Sequence, residues 1–192
     1  MRLAKNILAL IGLIAIVGGV VATIKAQTLL AGFDPEARAT YEHMAKVLLE
    51  TGNPAEATVW KAKVRDGLTF DDVDQAIKSV ATTMNIKNVG ELPLGDQVEK
   101  MQGSPWRKLK IYLYCNPLTA AKMIDYSDAF SAYLPCRIAL LQDKAGKLWI
   151  YTLNMDMLIY GGKPLPPELK QEAFKVKEIM QAILNRGAEG EF

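Results

Sequence analysis

Few side chains in this chain could do chemistry, and its two cysteines are the most suggestive. Cys115 and Cys136 are the only cysteines among 192 residues. Four readings of the pair compete. Both could be buried small hydrophobes, since free cysteine is among the most buried residue types. They could form a structural disulfide, which an exported location permits. They could be a redox or sulfur-handling pair. They could bind a soft metal with help from the thioethers of Met155 and Met157. A disulfide closing the loop of about 20 residues between them would contribute ~3 kcal/mol in the loop-entropy picture, so a structural role is sufficient. Methionine is also an ordinary filler of core gaps.

The other chemistry-bearing residues have plain explanations. His43 is the only histidine, and its place on a predicted surface helix points to a solvated side chain. The cluster Asp71, Asp72 and Asp74 could suggest a cation site, but the preceding Thr69 makes helix-start chemistry the simpler reading. No CxxC, HExxH, GxSxG, P-loop or GxGxxG pattern is present. No set of nucleophile, base and orienting group can be named. The chain is therefore expected to be a non-enzyme without a cofactor, with only an unusual enzyme class left open. Its 23 basic and 21 acidic residues balance to +2. With no run of Lys and Arg interleaved with aromatics, a nucleic-acid partner is not expected.

The elements that must position these residues follow from periodicity. A helix is expected from Asp34 to Glu50, with Asp34 capping, Pro35 in the first turn, and Gly52, Asn53 and Pro54 stopping it. Thr58 to Val64 alternates as a strand. Thr69-Phe70-Asp71-Asp72 opens a helix with an apolar stripe through Val73, Ile77 and Val80. A short strand at Ile86 to Val89 and a short helix at Leu94 to Met101 follow. Leu109 to Cys115 is a strand with Leu109, Ile111, Leu113 and Cys115 on one face, and Tyr112 and Tyr114 on the other. Asn116-Pro117 turns the chain into a helical stretch running to about Tyr133. Cys136 to Gln142 and Lys147 to Leu153 read as a hairpin, and Glu168 to Leu184 as a long amphipathic helix that Gly187 can close. This order predicts an α+β fold, a mostly antiparallel sheet with helices packed on one face. If the strands ending at Cys115 and starting at Cys136 are antiparallel neighbours, the two thiols come close. A sheet with one free face would also offer a ligand or partner surface. Tyr112, Tyr114, Asn116, Trp149 and Tyr151 are the candidates for it, with core filling as the competing reading of the aromatics.

Ile7 to Ile24 is an uncharged run of 18 residues. As a helix it covers ~27 Å, about the hydrocarbon thickness of a bilayer. Arg2 and Lys5 precede it, while Lys25 is soon followed by Asp34 and Glu36. The positive-inside bias then places residues 1–6 in the cytoplasm, 7–24 in the membrane and the rest outside. The expectation is a single-pass protein of a bacterial inner membrane with its soluble domain in the periplasm. A cleaved signal peptide is the rival, with Val20 and Ala22 as its cleavage residues, but the apolar run is longer than a typical signal core. Residues 25–57 are expected to be a linker helix, 58–160 the α+β domain, and 161–192 a C-terminal loop, helix and tail.

From Thr58 to Tyr160 the chain resembles the family known as domain of unknown function number 302. The resemblance is carried by the Leu68-Thr69-Phe70-Asp71-Asp72 helix start and by the strand ending in Asn116-Pro117. Leu134-Pro135 and the Gly146-Lys147-Leu148-Trp149 hairpin add to it. It implies a small α+β domain with a curved antiparallel sheet, similar to half of the TATA-binding-protein saddle. Members are often dimeric, so a homodimer or a membrane-protein partner is expected, and no activity is implied. The chain departs from the family in its membrane segment, in a longer C-terminal helix, and in its cysteines. These stand where a small residue and an aliphatic one are expected, which suggests a specialised subgroup.

Overall fold

The computed structural model describes residues 2–192. The first element, α1 (Arg2–Leu30), is one continuous helix. Its segment Lys5–Lys25 is the one helix among the described residues long and apolar enough to cross a membrane, and none of it is buried against the rest of the protein. The linker helix α2 (Ala37–Thr51) starts later than expected. Glu36, not Asp34, stands at its N-cap and no side chain caps it; Asp34 accepts the Glu36 N–H at 3.1 Å in the preceding turn, and Gly52 closes the helix in the left-handed conformation at φ +64°. A further short turn of helix, α3 (Pro54–Ala57), leads into the sheet.

Five strands follow: β1 (Val59–Lys63), β2 (Lys87–Leu92), β3 (Leu109–Cys115), β4 (Cys136–Gln142) and β5 (Leu148–Leu153). They form one open sheet in the order β1-β5-β4-β3-β2, with every neighbouring pair antiparallel. Between β1 and β2 runs α4 (Phe70–Thr83). Its capping box forms as the sequence predicts: Thr69 Oγ1 accepts from the Asp72 N–H at 3.2 Å, and Asp72 Oδ2 accepts from the Thr69 N–H at 2.8 Å. Between β2 and β3 lies α5 (Leu94–Gln102). The stretch expected to be helical up to Tyr133 divides into α6 (Pro117–Tyr126) and a 3₁₀ segment, Asp128–Tyr133, because Ser127 is extended. The sequence reading missed α7 (Asp156–Tyr160). The last helix, α8 (Pro167–Glu189), runs beyond the expected end. Gly187 does not close it but lies buried inside it, where an added Cβ would come within 3.1 Å of Ile77 and 3.2 Å of Ile150. That glycine lets α8 approach both α4 and the sheet closely.

The core lies between one sheet face and the pair α4 and α8. Register alignment puts Tyr112 beside Ile138, and Ile138 beside Thr152; the next rung joins Leu140 and Ile150. All except Thr152 belong to the main core cluster with Val73, Ile77, Val80, Met180 and Ile183. Their alternates stand on the opposite, helix-poor face: Ile111, Leu113 and Cys115 on β3, Arg137 and Ala139 on β4, Trp149 and Tyr151 on β5. A satellite cluster of Met123, Ile159, Leu165, Leu169 and Ala173 packs at one end, where α6 and α7 meet α8.

Candidate functional site

Strands β3 and β4 are antiparallel neighbours, so a two-residue turn could join them. The chain instead makes a 20-residue excursion, Asn116 to Pro135. Asn116 starts α6 by accepting the Leu118 and Thr119 N–H groups at 3.2 and 3.3 Å, and Pro117 occupies the first helical turn. Thr119 Oγ1 then donates to Glu172 on α8 at 3.1 Å, and Lys122 pairs with the same carboxylate. These contacts hold α6 away from the sheet end, and the 3₁₀ segment returns along it. The space enclosed is a mostly apolar cavity of about 430 Å³. One part lies against the open sheet face at Ile111, Ala139 and Tyr151; the other reaches round the sheet end to Met155, Ile159 and Ala173.

Both cysteines line this cavity, and both are free thiols. Of the four readings of the pair, the register does not favour the disulfide. Cys136 stands opposite Tyr114, one residue short of Cys115. Adjacent residues of a pleated strand point to opposite faces, so Cys115 points to the open face while Cys136 packs against the main core. Burial pushes the Cys136 thiol up to about 11, with the nearby Cys115 adding to the shift. Burial also raises the Cys115 thiol. Neither environment favours a reactive thiolate at neutral pH. Met155 lines the same cavity, whereas Met157 does not. Among the described residues no group of three or more His, Cys, Asp or Glu side chains converges as a metal cluster would require.

The expected aromatic surface divides in two. Tyr112 and Tyr114 are fully buried on the helix side, their rings nearly parallel with centroids 6.4 Å apart. Trp149 and Tyr151 remain half-buried on the open face, also 6.4 Å apart, with the Trp149 indole donating to Asp143 at 3.0 Å. The tyrosines therefore fill the core, and a surface made of all four rings does not exist. Tyr151 and Asn116 do line the cavity. His43 is exposed on α2, at a shallow polar cleft shared with Asn154, Asp156 and Lys177.

Asp74, grouped with the helix-start acids in the sequence, has a different role. Its Oδ1 accepts from the Tyr112 hydroxyl at 2.5 Å and from Lys110 at 2.7 Å, and its Oδ2 pairs with Lys78 at 2.7 Å. Burial works to raise its pKa, but the hydrogen bonds from Lys110, Lys78 and Tyr112 outweigh it and hold the carboxyl below its usual value. Glu91 completes the network through Lys110 at 2.7 Å.

Two features escaped the sequence reading. One is Arg137, which lines the cavity on its strand-face side. No carboxylate of the described residues lies within 4.0 Å of it. Two lining hydroxyls have partners within the fold: Thr119 donates to Glu172 at 3.1 Å and Thr152 to the Arg137 carbonyl at 2.8 Å. The available signal was one charge in the otherwise apolar strand core CRIALL. The second feature is the way the linker is fastened. Asp34 donates its N–H to Gly162 O at 2.8 Å and pairs through its buried carboxylate with Lys170, while the Tyr41 hydroxyl donates to Gly161 O at 2.6 Å.

The sequence profile described as "Domain of unknown function DUF302" matches residues 60–187. The match takes in most of α8, so the C-terminal helix falls inside the matched region and not outside it as expected. An uncharacterised protein of Aquifex aeolicus (strain VF5) is 26% identical over 130 residues, covering 67% of this chain and 83% of its own. Among solved structures, an uncharacterised conserved DUF302 protein from Bacillus stearothermophilus superposes with a TM-score of 0.54 at 17% identity. That alignment covers 67% of this chain and 97% of the other. At that identity the likeness is one of fold.

Proposed function

The chain belongs to the DUF302 family, whose name carries no activity, and from its cavity we propose that it is a membrane-anchored binding domain for a small apolar ligand. The observation that carries this reading is the apolar cavity of about 430 Å³ at the sheet end. That volume lies in the ~300–1,000 Å³ range typical of small-molecule sites. The apolar helix α1 supports the anchor. Arg2 and Lys5 ahead of it favour a cytoplasmic N-terminus and a periplasmic domain in a bacterial inner membrane. Organic extraction of the protein purified from membranes, followed by mass spectrometry, tests the reading. A small apolar molecule should accompany the wild type and be missing from Ala139→Trp, which fills the cavity from a half-exposed position on the sheet. The same molecule in equal amount on both proteins, or none on either, would sink it.

A thiol-redox or soft-metal function at Cys115 and Cys136 has one observation in its favour, the shared cavity that also holds Met155. Aerobic purification followed by thiol titration and metal analysis separates the readings. Two thiols per chain with no copper or zinc would remove this alternative.

A further inference from the structure

We propose that the cavity takes a single-chain anionic amphiphile, one apolar tail with one carboxylate or phosphate head, and that Arg137 holds the head. This deepens the binding-domain reading and rests on it. The cavity walls match an aliphatic tail: Ile111, Ala139, Phe130, Leu153 and Ile159 present only carbon to it. Its volume is at the small end of the range for ligand sites, which suits one chain better than two.

The charge argument selects the head group. Thr119 donates its hydroxyl proton to Glu172 and Thr152 to the Arg137 carbonyl, and the remaining lining donors, on Asn116, Tyr133 and Tyr151, are neutral. Arg137 is the one lining residue with a full charge, and no carboxylate of the described residues pairs with it. A guanidinium recognises carboxylate and phosphate through paired N–H donors. An exposed position leaves it hydrated until a head group arrives, so no buried unpaired charge is created in the empty protein.

The position of the cavity supplies the third line. Only Ala31 to Phe33 separate the end of α1 from Asp34, which is fastened to Lys170. Three residues span at most ~11 Å. Ala173, in the cavity wall, lies about one helical turn beyond Lys170 on α8. An anchored α1 therefore holds this end of the domain near the bilayer surface. Around the cavity, Leu118, Tyr126 and Tyr133 are exposed on the α6 excursion, the residue types found where protein meets a lipid interface. An amphiphile leaving the membrane would meet this rim first.

The test uses the full chain in lipid nanodiscs with radiolabelled palmitate, hexadecyl phosphate and hexadecanol, counted above empty discs. Both anions should bind about ten-fold or more tightly than the alcohol, the gap expected for one charge-assisted contact. Arg137→Gln should erase that gap while hexadecanol binding stays at the wild-type level, and Arg137→Lys should restore part of it. A preference for palmitate over the phosphate identifies free fatty acid as the source, and the reverse a phosphate-headed lipid. Equal binding of alcohol and anions to the wild type, or a full gap in Arg137→Gln, overturns the proposal and leaves the apolar-ligand reading standing. Absence of saturable binding for all three overturns it too, and the extraction experiment then decides the broader reading independently.

Discussion

Replacing Asp74 by Ala should destabilise the domain by about 2–4 kcal/mol, chiefly through a partner that is left behind. The Tyr112 hydroxyl is fully buried and has Asp74 as its acceptor at 2.5 Å. Without it, a buried donor goes unsatisfied at a cost of about 1–3 kcal/mol. Lys110 keeps Glu91 at 2.7 Å and Lys78 has 40% of its side chain in solvent, so their losses add only about 1 kcal/mol. The double variant Asp74→Ala/Tyr112→Phe removes donor and acceptor together and should recover 1 kcal/mol or more of the loss, on the order of the orphan penalty. Urea unfolding followed by tryptophan fluorescence reads this cleanly. The only tryptophans, Trp60, Trp106 and Trp149, all lie in the sheet-bearing domain, and α1 contributes none. The pH dependence gives a second check. Since the folded Asp74 pKa is held below its ordinary value, its contribution is complete above the unfolded pKa of ~3.9 and is lost as pH falls through the folded value. The wild-type advantage over Asp74→Ala should therefore shrink in acid. A single variant within ~0.5 kcal/mol of wild type at pH 7, or a double variant no better than the additive sum, would refute the reasoning.

Tyr114→Phe should be neutral or stabilising by up to about 1 kcal/mol, because the Tyr114 hydroxyl is buried with no hydrogen-bonding partner in the protein; a loss above that size in the same urea assay would contradict it. The Cys136 thiol, pushed up to about 11, should alkylate far more slowly in the native protein at pH 8 than in urea. Its rate should climb towards pH 11, as peptide mapping after timed iodoacetamide treatment would show. Because the folded value lies above the unfolded ~8.5, the stability contributed by the neutral thiol is complete below pH ~8.5 and is lost as pH rises towards 11. Equal labelling of native and unfolded Cys136 at pH 8 would disprove the desolvated environment.

The elements were legible where a local rule decides. Thr69 with Asp72, Gly52 after Thr51, and the alternation of β3 each specify backbone geometry within a few residues. The alternation of β3 correctly put Tyr112 and Tyr114 on one face and Cys115 on the other. Which face would be covered was not written there. Leu109, Ile111 and Leu113 are as apolar as the tyrosine face, and only the packing of α4 and α8 decides between them. The relative orientation of the two thiols was hidden for a similar reason, although their closeness at one cavity was foreseen. Strand adjacency was foreseen, but a one-residue difference in register turns a facing pair into two thiols on opposite faces. Asp74 was misgrouped with Asp71 and Asp72 because its partners Lys110 and Tyr112 lie 36 and 38 residues away in sequence.

The excursion between β3 and β4 ties the fold to the proposed function. The β4–β5 hairpin shows that this sheet can make tight connections: Asp143 accepts the Ala145 and Lys147 N–H groups at 2.8 and 2.9 Å, and Gly146 takes φ +79°. The 20 residues from Asn116 to Pro135 are therefore not forced by the topology. Their capping by Asn116 and their attachment to Glu172 fix α6 where Thr119, Ala120 and Met123 line the cavity, while Leu118 faces solvent at 78% exposure. The cavity, with one charged residue at its wall and the linker after the apolar helix fastened to α8 near the same end, is the arrangement on which the proposed binding role rests.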